Sequence, residues 1–285
     1  MEYEFPKDAP ESVKRFLTET LSILHPILSD DMVGAYLYGS LAMGCFNPES
    51  SDIDIILVVR ESLSKEKRRR VIDYLNGVCS KEKRLELSIV GRDVLRKPTY
   101  PIMVYLHYEY WGSILENEMD SEILSNLYTA RKRGFRVWGA PKHAVFSRIP
   151  SEYHSRSVVE DIQRTRGHLH ENQKRAGYNV PVYWVLGSCR VLAFIREGRV
   201  LSKAEGGQWG LTNMPRKYHS IIQEALAFYQ GKKSNHVWNE EELNAFADYM
   251  THTVLRESRW EDRNLSTHAE QPIKRTRLQS DEDKA

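Results

Sequence analysis

Two aspartates, Asp52 and Asp54, flank Ile53 at the head of an apolar run, twelve residues past the pair Gly39-Ser40, and a third carboxylate, Glu86, follows between Leu85 and Leu87. Alternate side chains of a β-strand share a face, so Asp52 and Asp54 project together while Ile53 and Ile55 turn the other way into a core. The stretch from Arg84 to Val90 repeats that alternation and offers Glu86 from between two buried leucines. Three carboxylates brought to one place repel one another, and a hard divalent cation that favours oxygen ligands, Mg²⁺ above all, relieves the repulsion. Gly39-Ser40 stands at the exit of a strand and the opening of a short helix. Without a Cβ, Gly39 lets phosphate oxygens approach the backbone closely, and the helix start adds a favourable dipole. A phosphate cradle followed by metal-binding carboxylates is the equipment of nucleotidyl transfer.

Hydrophobic periodicity outlines the elements that must hold these groups. An amphipathic helix spans Glu11 to Leu28, with Val13, Phe16, Leu17, Leu21 and Leu24 on one side, and a strand runs from Val33 to Tyr38. The basic run Lys65 to Arg70 begins a helix between the two carboxylate strands and reads as a solvated face. Pro101 to Tyr110 alternates as a further strand, and Glu122 to Arg133 forms a helix that stops at Gly134. Past residue 150 the spacing turns helical throughout, over 152–174, 182–196, 214–229 and 240–257, with turn signals at Gly177, Glu197-Gly198 and Gly206-Gly207. The predicted organisation is an α/β domain over 1–150, an all-α helical bundle over 151–268 and a disordered tail over 269–285. Trp184, Trp209, Trp238 and Trp260 are expected to pack in cores.

Composition excludes several classes. The chain has 285 residues with 41% hydrophobic content, enough for two domains with substantial cores. Lys and Arg number 41 against 39 Asp and Glu, a balance that implies no nucleic-acid partner. Three cysteines, Cys45, Cys79 and Cys189, leave one over in any disulfide scheme, which suits a reducing cytoplasm. The amino terminus carries no basic region ahead of an apolar stretch, and no run approaches the roughly 18 apolar residues of a membrane span, so nothing is expected to export or anchor the chain. His168 and His170 lie two apart in an expected helix and do not share a face, so no zinc site is readable.

The set Tyr38-Gly39-Ser40, Asp52-Ile53-Asp54 and Leu85-Glu86-Leu87 resembles the signature of the polymerase-beta-like nucleotidyltransferases, whose core is a mixed sheet with flanking helices. Downstream residues narrow the resemblance to the streptomycin/spectinomycin adenylyltransferases. These include Tyr100-Pro101, Trp111, Trp138 through Pro141, Arg190, Lys203, Trp209, Pro215 and Tyr229. The resemblance implies ATP as co-substrate and Mg²⁺ on Asp52 and Asp54. It also implies Glu86 as general base beside the acceptor, and Gly39 and Ser40 on the phosphates. Arg190 and Lys203 would hold the triphosphate, Tyr229 the adenine, and Trp111 a cationic small-molecule acceptor. It further implies transfer of AMP to an antibiotic hydroxyl with release of pyrophosphate, by a monomer. An enzyme of the same fold acting on another small-molecule or protein hydroxyl is the alternative.

One stretch departs from the family. Glu171, Ala176 and Val180 stand where the family carries a tryptophan and two aspartates associated with streptomycin, so spectinomycin is the acceptor expected ahead of streptomycin. Glu171, Asp161 or Glu109 are the acids available to replace the missing pair.

Overall fold

The computed structural model describes residues 2–169, 180–232 and 238–258. The readings placed on His170, Glu171, Ala176, Gly177, Trp260 and the tail therefore lie outside the described residues. Residues 2–149 form one compact unit, and the described residues from 150 onward form another.

The first unit opens with α1 (Glu11–Leu28), which buries Val13, Phe16, Leu17, Leu21 and Leu24, the side marked by its spacing. Then come β1 (Met32–Tyr38), the short α2 (Gly39–Ala42), β2 (Ile53–Val59), α3 (Lys65–Val78), β3 (Leu85–Gly91) and α4 (Arg92–Arg96). The hairpin strands β4 (Ile102–Glu109) and β5 (Ser113–Asp120), helix α5 (Glu122–Arg133), edge strand β6 (Phe135–Gly139) and α6 (Lys142–Val145) complete it. The sheet order is β5-β4-β3-β2-β1-β6. Among the described residues only β2 and β3 pair in parallel, which requires the crossover that α3 supplies. On one face Ile53, Ile55 and Leu57 of β2 and Leu85, Leu87 and Ile89 of β3 pack with Leu17, Leu21 and Leu24 of α1 and Val71 and Leu75 of α3. Each such side chain contributes about 1.5–3 kcal/mol by leaving water. Helix α5, which buries Ile123, Leu124, Leu127 and Ala130, serves the other face.

Periodicity did not announce β5 and β6. Strand β5 carries only Ile114, Leu115 and Met119 as apolar residues, and both strands lie at sheet edges, where one side of the ladder needs no partner. The polar sequence of β5 also hides the partner of one basic residue of α3. Arg68 is not solvated: it is 8% exposed and donates to Glu116 of β5 at 2.9 Å and to the Leu63 carbonyl at 2.6 Å.

The second unit contains α7 (Ser151–Arg166), α8 (Val180–Glu197), α9 (Lys203–Asn213), α10 (His219–Tyr229) and α11 (Glu240–Glu257). Helix α7 ends at Arg166, short of the expected 174, and α10 starts at His219 because Pro215 and a 3₁₀ turn over Arg216–Tyr218 precede it. Gly206-Gly207 is not a turn but lies inside α9, which a capping box of Ser202 and Glu205 opens. A Cβ at Gly206 would strike Arg190, one at Gly207 would strike Leu226, and one at Gly210 would strike Cys189, so the glycines let α8 and α10 approach α9 closely. Trp184, Trp209 and Trp238 are all buried, as expected of packing residues. Arg196 grips Glu257 through two bonds of 2.7 and 2.8 Å and ties α8 to α11. Among the described residues no helix is long and apolar enough to cross a membrane.

Candidate active site

The carboxylates meet at one end of the sheet because of register. Tyr38 pairs with Asp54, Asp54 with Glu86, and Glu86 with Glu109, so these four side chains form a row across β1, β2, β3 and β4 on one face. Neighbouring strands, and so the backbones of neighbouring members, lie about 4.8 Å apart. Ile53 is 5% exposed in the opposite layer, so alternation carries Asp52 and Asp54 to the site face together. Gly39 has φ +65, a conformation that favours glycine, and a Cβ there would collide with Oδ2 of Asp54. The glycine therefore serves both the turn and the space beside the aspartate. Ser40 follows it in α2, half-buried.

Among the described residues no three His, Cys, Asp or Glu side chains are grouped closely enough to hold a metal ion on their own. Two carboxylates beside an open glycine fit Mg²⁺ well, since that ion is commonly bound by one or two carboxylates and completes its octahedron with water and substrate phosphates. Asp52 and Asp54 are the residues that would hold it.

Glu86 is held more closely than sequence alone indicates. The Tyr38 hydroxyl reaches past Asp54 and donates to Oε1 of Glu86 at 2.6 Å, and Nδ2 of Asn126, on α5, donates to the same oxygen at 3.3 Å. Burial, reinforced by the Glu86 and Asp54 carboxylates, holds the Tyr38 phenol well above its usual range, so it stays a donor. Tyr38 had appeared only as part of a motif. Alternation put it on the right face, but contact with a residue two strands away depends on pairing.

Trp111 lies in the β4–β5 turn, edge-on to Tyr110 at a ring separation of 4.9 Å. The Tyr110 amide bonds the Leu85 carbonyl at 3.2 Å, and Gly112, with φ +94, closes the turn onto the Glu109 carbonyl. The indole is thus tied to the end of the sheet that carries Glu86. Behind it, Oε1 of Glu109 lies 3.4 Å from Nε2 of His107, whose Nδ1 is 3.0 Å from the Ser88 hydroxyl, and all three residues are buried.

In the helical unit, Arg190 lies on α8 and its stem packs on Gly206 of α9. Lys203, the first residue of α9, sits 3.8 Å above the Tyr183 ring, and Tyr183 precedes Arg190 by seven residues, two helical turns along the same face. The structure therefore brings Arg190 and Lys203 to the α8–α9 pair. His154 of α7 stacks edge-on to Phe194 at 4.4 Å, and burial together with the Arg190 charge lowers its pKa to about 3. Tyr229 is 7% exposed in the helical core, and Val180, at the start of α8, brings no acid.

Two family models match the chain: a nucleotidyltransferase domain over residues 21–103 and the aminoglycoside adenylyltransferase C-terminal domain over residues 144–253. The chain belongs to the aminoglycoside adenylyltransferase family. Among the relatives of this adenylyltransferase is a spectinomycin 9-adenylyltransferase of Campylobacter jejuni, 25% identical over 248 residues that cover 82% of this chain and 92% of that protein. One of the same name from Staphylococcus aureus is 23% identical over 75% of this chain and 84% of its own. An aminoglycoside (3'') (9) adenylyltransferase of Rhizobium radiobacter is 22% identical over 84% of this chain and 92% of its own. In fold, the adenylyltransferase matches a spectinomycin adenyltransferase of Enterococcus faecialis, solved with ATP and spectinomycin. The TM-score is 0.72 at 19% identity, covering 86% of this chain and 99% of that one.

Proposed function

We propose that the chain transfers AMP from ATP to a hydroxyl of spectinomycin in a Mg²⁺-dependent reaction that releases pyrophosphate. The observation that carries the reading is the parallel β2–β3 register, which sets Glu86 directly beside Asp54. The names of the relatives support spectinomycin as acceptor, and the lack of a carboxylate at Val180 argues against streptomycin.

Gly39 and Ser40 would receive the phosphates on backbone N–H groups and a hydroxyl, and Asp52 and Asp54 would hold Mg²⁺. When bound, the ion neutralises phosphate oxygens and the pyrophosphate that leaves. Arg190 and Lys203 would add cationic contacts to the triphosphate, while Trp111 would offer an aromatic face to the cationic acceptor. Glu86 would take the proton of the attacking hydroxyl. Tyr229 would act at the adenine only through whatever edge its burial leaves open.

The test is incubation of the protein with ATP labelled at the α-phosphate, Mg²⁺ and either spectinomycin or streptomycin. Label should pass to spectinomycin with one pyrophosphate released per ester, and EDTA should stop it. Pyrophosphate release with neither drug labelled would turn the search to another small-molecule or protein hydroxyl. No release with any acceptor would overturn the reading.

A further inference from the structure

We propose that Tyr38 is a positioning residue for this reaction: with Asn126 it pins Oε1 of Glu86 and so leaves Oε2 as the oxygen that receives the acceptor's proton. This rests on the adenylyl-transfer reading above and deepens it.

A carboxylate used as a base has two oxygens and a rotatable end. If either oxygen could face the acceptor, the group would have to be ordered anew for each turnover, and effective catalysis needs the accepting atom held within hydrogen-bond reach of the proton. In this protein both donors to Glu86 converge on the same atom. The Tyr38 hydroxyl lies 2.6 Å from Oε1, within the range of a strong O–H bond to a carboxylate, and Asn126 lies 3.3 Å from it. The two donors come from opposite kinds of support. Tyr38 closes β1 and is 4% exposed, whereas Asn126 comes from the helix that lies over the site face. Together they hold that one oxygen from two sides.

The Tyr38 hydroxyl donates to Glu86 from within the row that also holds Asp54. A neutral hydroxyl among carboxylates supplies a donor without adding a charge that would compete for Mg²⁺. In the transfer itself, the acceptor O–H bond breaks and its proton passes to Oε2 of Glu86. The acceptor oxygen bonds to the α-phosphorus, and the bond from that phosphorus to the bridging oxygen breaks, its electron pair leaving with pyrophosphate.

Tyr38→Phe keeps the ring and its packing and removes only the hydroxyl. In the pyrophosphate-release assay with Mg-ATP and spectinomycin, its kcat should fall about tenfold while KM for ATP and for acceptor stay within about twofold. Asn126→Ala, at a half-exposed position, should lose less in kcat with the same pattern. The deciding arm is the double variant. In a Glu86→Gln background, Tyr38→Phe should change the residual rate by less than about twofold, because its effect runs through the carboxylate. Equal losses from Tyr38→Phe with and without Glu86, or a kcat unchanged in Tyr38→Phe and Asn126→Ala alike, would overturn the inference. Wild-type protein without turnover on any acceptor would instead overturn the functional reading on which it rests.

Discussion

Gly39 and Asp54 stand so close across the β1–β2 pair that residue 39 has no room for a Cβ on the side of the aspartate's Oδ2. The closeness matters because the same glycine sits at φ +65, so a substitution would strain the backbone and displace the carboxylate proposed to hold Mg²⁺ at once. Gly39→Ala should lower turnover by about 10²-fold or more, since misplacement of a reacting group by ~1 Å costs that much. Titration of activity with Mg²⁺ should show a raised half-saturation point. Near-normal turnover would show that the turn tolerates a side chain and that Asp54 is not poised against it.

Glu86→Gln keeps the shape but turns one acceptor oxygen into an amide donor and cannot take a proton. It should bind Mg-ATP about as tightly as the unsubstituted chain while losing about 10²-fold or more in kcat. Calorimetry for binding and pyrophosphate release for turnover separate the two quantities, and equal losses in both would point to a metal-binding role for Glu86.

Arg190→Ala and Lys203→Ala should each raise KM for ATP by about tenfold with a smaller change in kcat, because each removes one of the charge-assisted contacts proposed to the triphosphate. The far-ultraviolet circular dichroism should not change, since alanine keeps the helical backbone of α8 and α9. Unaltered affinity for Mg-ATP in both variants would leave the two cations with a structural role in the α8–α9 pair.

His154 makes stability depend on pH. Its folded pKa, about 3, lies below the ordinary 6.5, so the unfolded chain binds the extra proton between those values and the folded chain does not. Its contribution is therefore fully present above about pH 6.5 and is lost as pH falls towards 3, with a slope of up to about 1.4 kcal/mol per unit. Urea denaturation at pH 7 and pH 4.5 should show this loss, and His154→Gln should flatten it by nearly one proton. An unchanged slope would assign the acid sensitivity to other groups.

The sequence carried the outline of the site but not its wiring. Asp52, Asp54 and Glu86 could be placed on one face because a strand's period is two, and the strands holding them read clearly from their apolar partners. The Tyr38–Glu86 bond could not, since it depends on which residues of three strands fall in one row. Arg68 was misjudged for a related reason: its partner Glu116 sits on an edge strand whose polar sequence conceals it. The Gly206-Gly207 pair looked like a chain reversal because glycine is a poor helix former, yet its value in α9 lies in what it lets neighbouring helices touch.

The row from Tyr38 to Glu109 also sets where the chain can change its length. Removing one residue inside β3 ahead of Glu86 would rotate every later side chain of that strand by half a turn, sending the carboxylate into the layer of α1 and α3 and lifting Leu87 onto the site. The same deletion in the connection over 79–83 would leave β3 to be set by its own pairing with β2 and β4. Evolutionary drift in length should therefore collect in the connections and stop abruptly at the strand boundaries. An enzyme whose chemistry is spelled across four strands can lengthen its loops freely, but it cannot lose a single letter from the line.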